Sequence, residues 1–411
     1  MPAPGGALRR CVALDPGEFA RSHWGRAALL SRARDLAAAG AGFDDLLSAD
    51  DVDELLSRRG LRTPFLRVAK GGELVPPGRF TGGAGAGAEI RDQVLDELVF
   101  DLYADGATLV LQGLHRMWPP LIDFAGRLGA ELRVPVQANA YLTPAGNRGF
   151  DAHYDTHDVF VLQVTGRKRW RVHRPVLTDP VELQPWGGYA EEVGAAADGA
   201  PAMDVVLDVG DALYLPRGWP HAAEALGERS LHLTLGLRAP TRYTLVEALL
   251  GLAVDEPALR AGFPLGLDVT DPAALAPHLT ATTAALRDWL ARADPSVVAS
   301  RLAKRVWPAS RPAPLRPLAQ AAAVEMLDAR TVVAARAGLR WRLARRGEDE
   351  IVLSLVDRTV SLPAFCEPAL RTLLEGPPIA VGDLPGLEPD DRLVLARRLL
   401  REAIAVPADK A

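Results

Sequence analysis

The stretch Ser230–Leu237 alternates without a break: Leu231, Leu233, Leu235 and Leu237 fall on one side of an extended chain, and Ser230, His232, Thr234 and Gly236 on the other. A helix would scatter these leucines around its circumference, so the segment is a strand with one apolar face and one small or polar face. Further short runs of strand character lie at 134–142, 159–164, 170–173, 205–207 and 212–215, with turn residues between them. Many short strands of this kind suit a double-stranded barrel whose interior holds a ligand, rather than a parallel α/β sheet.

Around this core the pattern is helical. Residues 15–60 read as helix, 71–87 as a glycine-rich loop, and 90–103 and 119–128 as further helices. Residues 183–203, with Gly187, Gly188, Gly194 and Gly199, read as a surface loop over the barrel mouth. After Pro240 come Ala/Leu-rich helices at 244–252, 272–279, 280–293 and 296–306, then a proline-rich linker at 307–317. The remainder reads as a small α+β unit with a strand pair at 339–344 and 351–356 and helices near 364–374 and 391–404. The expected division is 1–239, 240–317 and 318–411.

Composition narrows the partners. The net charge is −5, from 47 basic and 52 acidic residues, where a phosphate-binding surface needs a basic excess. From Arg336 to the end twelve basic residues balance twelve acidic ones, so nucleic-acid binding by this unit is not expected. Two cysteines, Cys11 and Cys366, cannot form a disulfide framework and point to a reducing compartment. The N-terminus lacks an apolar signal-peptide core, and no apolar run approaches the roughly 18 residues of a membrane span. A soluble, cytoplasmic protein is the expectation.

The chemistry-bearing residues fall in two clusters. In Phe150-Asp-Ala-His153-Tyr-Asp155, an imidazole and a carboxylate two positions apart share a face on an extended chain. Alone this pattern is near chance among eight histidines. Downstream, Gly210 to His221 reads G-x5-P-x-G-x2-H, which matches the second cupin motif at its fixed positions. Its glycines and proline bend the chain so that His221 enters the next strand facing the cavity. Two His and one carboxylate, His153, Asp155 and His221, are the facial triad of iron(II) oxygenases, which leaves half the coordination sphere open. Val159 stands where a four-ligand cupin would carry its Glu. Lys168 ends the hairpin that begins at Val159; Lys occurs elsewhere only at 70, 304 and 410, so a lysine between Arg167 and Arg169 is a candidate partner for the far carboxylate of 2-oxoglutarate.

Together the runs Asn139-Ala-Tyr141-Leu-Thr-Pro, Gly149 to Asp155, Asp158 to Trp170, Gly210 to His221 and Ser230 to Thr234 resemble the jumonji-C (JmjC) family, specifically the ribosomal oxygenases that hydroxylate ribosomal proteins. The resemblance covers about 100 residues; outside them only the layout matches. It implies an α+β fold: a double-stranded β-helix (cupin/JmjC) barrel with flanking helices, a helical dimerisation segment and a small winged-helix-like C-terminal domain. It also implies Fe(II) on His153, Asp155 and His221, 2-oxoglutarate on Lys168 with Tyr141, Asn139 and Thr234 nearby, and O2 as co-reactant. The product would be a hydroxylated protein side chain, such as a His or Arg of a ribosomal protein, made by a homodimer with no membrane or nucleic-acid partner. The residues leave other readings open: a small-molecule hydroxylase, a cupin enzyme without cosubstrate, or an inert dimeric cupin that only binds. His157 and His173 read as surface or packing residues, and His232 as facing the cavity.

Overall fold

The computed structural model describes residues 6–36, 42–87 and 89–408; residues 1–5, where the reading of the N-terminus begins, lie outside them. The chain divides into two compact units, Met1–Ala239 and Pro240–Ala411.

In chain order the first unit comprises α1 (Pro16–Ser22), β1 (Leu29–Ser31), α2 (Ala49–Arg58), β2 (Leu66–Lys70), β3 (Glu73–Leu74), β4 (Thr81–Gly82), β5 (Gln93–Val94), α3 (Asp96–Ala104), β6 (Thr108–Leu111), α4 (Pro119–Leu132), β7 (Val136–Thr143), β8 (Asp158–Thr165), β9 (Lys168–Val172), α5 (Ala190–Asp198), β10 (Met203–Leu207), β11 (Ala212–Leu215), β12 (His221–Ala225) and β13 (Ser230–Leu237). An eight-stranded sheet runs in the order β1-β11-β8-β13-β7-β6-β2-β3, and a three-stranded sheet in the order β10-β9-β12. β13 pairs antiparallel with β8 on one side and β7 on the other, so the strand with the strictest alternation sits at the centre. Its four leucines are fully buried. They pack with Phe160 and Leu162 of β8, Ala138 and Ala140 of β7, and Leu121, Phe124 and Leu128 of α4. Each buried leucine or phenylalanine here stabilises the fold by about 1.5–3 kcal/mol relative to exposure. α4 presents Leu121, Phe124, Ala125 and Leu128 as one buried stripe after Pro119 and Pro120 in its first turn.

The other face of the major sheet supplies Val159, Val161, Leu213 and Leu215 to a separate cluster with Trp170, Val172 and Leu207 of the minor sheet. β8 is thus buried on both faces, which is why Val159–Leu162 reads as a continuous apolar run and only Gln163 breaks it before Val164. The polar face of β13 looks the same way, and its His232 and Thr234 line a cavity together with residues of both sheets.

Some elements differ from the sequence expectation. The helix expected over 15–60 is interrupted by β1, whose Leu29, Leu30 and Ser31 pair with Tyr214, Leu213 and Ala212 of β11. Gly25, at φ 66°, turns the chain after α1, and sheet pairing then overrides helical propensity. The helix expected from 90 starts only at Asp96, after β5. The loop expected over 183–203 contains the 3-10 turn Trp186–Tyr189 and α5. The expected helices at 272–279 and 280–293 are one, with Pro277 inside it.

The second unit begins with α6 (Arg242–Ala253), α7 (Pro257–Arg260), α8 (Pro272–Leu290) and α9 (Pro295–Val306). No residue of α8 or α9 is buried. After it come α10 (Pro317–Glu325), β14 (Val332–Ala335), β15 (Arg342–Arg346), β16 (Glu350–Ser354), β17 (Thr359–Pro363), α11 (Glu367–Glu375), β18 (Ile379–Ala380), α12 (Pro389–Arg401) and β19 (Ala405–Pro407). The sheets β18-β14-β19 and β15-β16-β17 share a core of Val333, Ile351, Leu353, Leu370, Leu373, Leu399 and Leu400 with the helices. Among the described residues no helix is long and apolar enough to cross a membrane.

Candidate metal centre

His153 and His221 form an isolated antiparallel bridge. His153 N–H donates to the His221 carbonyl at 3.2 Å, and His221 N–H donates back at 2.8 Å. Gly218 N–H donates to the Asp155 carbonyl at 2.9 Å. The segment carrying His153 and Asp155 is therefore extended but not a regular strand, and these tethers to the Pro216-Arg-Gly218 turn set its position. Gly218 has φ 81°, and a Cβ there would lie 2.6 Å from Pro180 Cδ and 2.8 Å from the Leu177 carbonyl, so only glycine fits.

The ligand atoms of His153, Asp155 and His221 lie within 4.8 Å of one another, with His221 Nε2 3.9 Å from Asp155 Oδ2. Each imidazole is oriented the same way. His153 Nδ1 is 2.8 Å from the Asp151 carbonyl and His221 Nδ1 is 3.0 Å from the Trp219 carbonyl. A carbonyl only accepts, so Nδ1 carries the hydrogen and Nε2 keeps its lone pair for a metal. Burial, then the neighbouring His153, lowers His221 to about 4, which keeps it neutral. Burial opposes ionisation of Asp155, but His157, His221 and His153 outweigh it and hold the carboxyl below its ordinary range. Two imidazoles presenting Nε2 and a carboxylate are a donor set that fits a divalent transition metal such as iron(II).

Beside the triad the cavity holds polar groups that lack counterparts. Lys168 is only 3% exposed, and its Nζ donates to Thr143 Oγ1 at 3.0 Å. Burial lowers its ammonium to about 7, with no acidic side chain offsetting the cost. Trp170 Nε1 and His232 Nδ1 are buried without a hydrogen-bond partner. His232 stacks on Tyr141 with centroids 4.8 Å apart and meets the edge of Trp170 at 5.4 Å. A buried cation and unpaired polar atoms around one cavity are what an anionic ligand would complete.

Of the residues singled out from the sequence, His153, Asp155, His221, Lys168, Tyr141, Thr234 and His232 all line this cavity. Asn139 is not among its lining residues; its Oδ1 accepts from Gly113 N–H at 3.0 Å and so holds the turn after β6. His157 lies behind Asp155, with Nε2 3.3 Å from Gln137 Nε2. His173 is buried, its N–H donating to the Pro220 carbonyl at 2.8 Å. Sequence reasoning assigned no role to Thr143, Trp170, Phe150 or Thr108. Thr143 and Trp170 were legible as the i+2 neighbours of Tyr141 and Lys168 on their strands; Phe150 and Thr108 carried no such signal.

Residues 125–245 match the family model of the JmjC domain. The match takes in the stretch from β7 to β13, which carries the metal-ligand candidates. Over 244 residues the chain is 33% identical to ribosomal oxygenase 1 of Homo sapiens, covering 59% of this chain and 36% of that protein. Over 259 residues it is 31% identical to the bifunctional lysine-specific demethylase and histidyl-hydroxylase NO66 of Drosophila pseudoobscura pseudoobscura, covering 61% and 25%. The chain thus spans roughly a fifth to two-fifths of the curated relatives it matches. The JmjC domain and its flanks share a fold with the Escherichia coli ribosomal oxygenase YcfD, at a TM-score of 0.56 and 20% identity over 96% of this chain and 98% of that one. A second YcfD structure, in complex with cobalt and 2-oxoglutarate, aligns at a TM-score of 0.54 and 19% identity, over 96% and 99%.

Proposed function

We propose that the chain is a ribosomal oxygenase: an Fe(II)- and 2-oxoglutarate-dependent dioxygenase that hydroxylates a C–H of a protein side chain. The observation that carries the reading is the convergence of His153, Asp155 and His221 beside a buried lysine with no anionic partner. In this reading the triad holds iron(II), and Lys168, steadied by Thr143, receives the distal carboxylate of 2-oxoglutarate. Tyr141 and Thr234 border the same space, and Trp170 and His232 offer polar atoms to the bound anion. The bound metal supplies oxygen activation: substrate C–H, 2-oxoglutarate and O2 become C–OH, succinate and CO2. The chain's own contribution is to hold both imidazoles in the ligating tautomer, to orient the oxo acid, and to exclude water behind Trp170 and Leu215.

Similarity to ribosomal oxygenase 1, to NO66 and to YcfD supports a protein substrate, with His or Arg of a ribosomal protein as candidates. We further propose that α6–α9 mediate homodimerisation, since Leu245, Val246, Leu250 and Val254 are exposed there. The C-terminal α+β unit is read as winged-helix-like from the resemblance, and its balanced charge favours a structural or protein-contact role over DNA reading.

Anaerobic titration with Fe(II) and then 2-oxoglutarate tests the chemistry: a weak visible charge-transfer band and, on admitting air, succinate are expected. A protein that binds neither is an inert cupin. Comparing ribosomal proteins of wild-type and deletion strains by mass for a missing single-oxygen addition tests the substrate.

A further inference from the structure

The cavity holds the unpaired His232 Nδ1 and Trp170 Nε1; next to His153 on its wall stands an element whose residues are not part of its lining. Trp186, on the turn leading into α5, has its ring centroid 6.2 Å from that of His153, yet it is 41% exposed. Leu183 just before it is 71% exposed. A large aromatic side chain left partly in water beside a candidate metal ligand, with an exposed leucine three residues before it, marks a contact surface. The element is fixed in place. Tyr154 Oη donates to the Gln184 carbonyl at 2.8 Å, and Val193 anchors α5 in the interior.

The charge of this element is one-sided. Residues 175–203 contain Asp179, Glu182, Glu191, Glu192 and Asp198 and no Lys or Arg, so they account for the whole formal charge of −5 and the rest of the chain sums to zero. Asp179 and Glu182 pair with Arg217 and Arg238. Glu191, Glu192 and Asp198 of α5 are exposed. A nucleic acid or an anionic bilayer would be repelled here.

We propose that α5 and the turn before it dock a basic, arginine- or lysine-rich polypeptide segment, with Trp186 stacking on the planar side chain that enters toward the metal centre. The exposed carboxylates of α5 draw the segment in and fix its register, while the indole face holds a guanidinium or imidazolium beside His153. The inference rests on the oxygenase reading for the fate of the docked residue, but the docking can be tested apart from it.

The probe is an array of short synthetic peptides of graded net charge, each with a central Arg or His, incubated with the full chain loaded with Mn(II) and 2-oxoglutarate. Binding is expected only to positively charged peptides and to weaken about tenfold from low to physiological salt. Trp186→Ala and the double change Glu191→Lys with Glu192→Lys each reduce it about tenfold, Trp186→Phe largely restores it, and all three variants share the wild-type unfolding midpoint. Charge-independent binding, no binding by wild type, or variants that bind like wild type overturns the proposal. Charge-selective binding by a wild-type protein that gives no charge-transfer band with Fe(II) and 2-oxoglutarate upholds the docking surface and removes only the oxygenase reading.

Discussion

Lys168 shows how a single residue trades stability against binding. Its ammonium is buried and lowered to about 7, whereas an unfolded lysine titrates near about 10.4. Between those values the unfolded chain binds more protons than the folded one, so the ligand-free protein gains stability as pH rises through that window and carries the full cost below it. Replacing a buried, unpaired charge by a packed apolar chain removes its desolvation cost. Lys168→Met is therefore expected to raise the neutral-pH unfolding midpoint without ligand, while 2-oxoglutarate affinity falls at least about tenfold, as the loss of a buried charge pair implies. Unfolding curves and equilibrium binding check both halves; a variant that binds the oxo acid like wild type would remove Lys168 from the site. Asp155→Ala takes the anionic ligand from the triad and leaves two imidazoles. Metal affinity should drop by orders of magnitude, read by isothermal titration with Mn(II), and the fold should survive because Asp155 is tied in through its backbone carbonyl.

At the scale of elements, the turn at Pro216-Arg-Gly218 connects β11 to β12 and, through Gly218 N–H, reaches Asp155. A methyl group at 218 would collide with Pro180 and the Leu177 carbonyl at a backbone angle that L-residues avoid. Gly218→Ala is expected to cost more than about 1–3 kcal/mol and to weaken metal binding along with stability. A variant with an unchanged melting curve would mean the turn is not under this constraint. The same scale explains what was legible. β13, β11 and β8 were read within a residue or so of their ends, because sheet burial writes period-two or continuous apolar patterns into the chain. β1 and α5 were misread. Three residues of β1 are extended because β11 offers them a ladder, and that partner is 180 residues away in sequence, roughly. The glycines of 183–203 suggested a loop, yet alanines and the buried Val193 supply enough for a short helix.

At the scale of the whole molecule, each unit has its own core, and the second leaves apolar side chains of α6 and α8 in water. If those close a dimer, sedimentation of the wild type should give twice the chain mass, and Leu250→Glu with Val254→Glu should give the monomer. A wild-type monomer at working concentration would end that reading. With twelve acidic and twelve basic residues beyond residue 335, the full chain is expected to show no salt-sensitive affinity for duplex DNA in an anisotropy titration.

The residue types and their spacing determined the candidate chemistry: an imidazole and a carboxylate two apart, a glycine–proline turn before a second imidazole, and one lysine at a hairpin end, each a local pattern read along the backbone. What tertiary structure decided was everything that depends on distance across the chain. It brought His153 against His221 through a two-bond bridge, put Thr143 under Lys168, turned Asn139 to a neighbouring turn and stood Trp186 beside His153. These contacts arise where two sheets and a surface element meet, and the free energy that selects them is shared over the whole core, so no window of the sequence contains it.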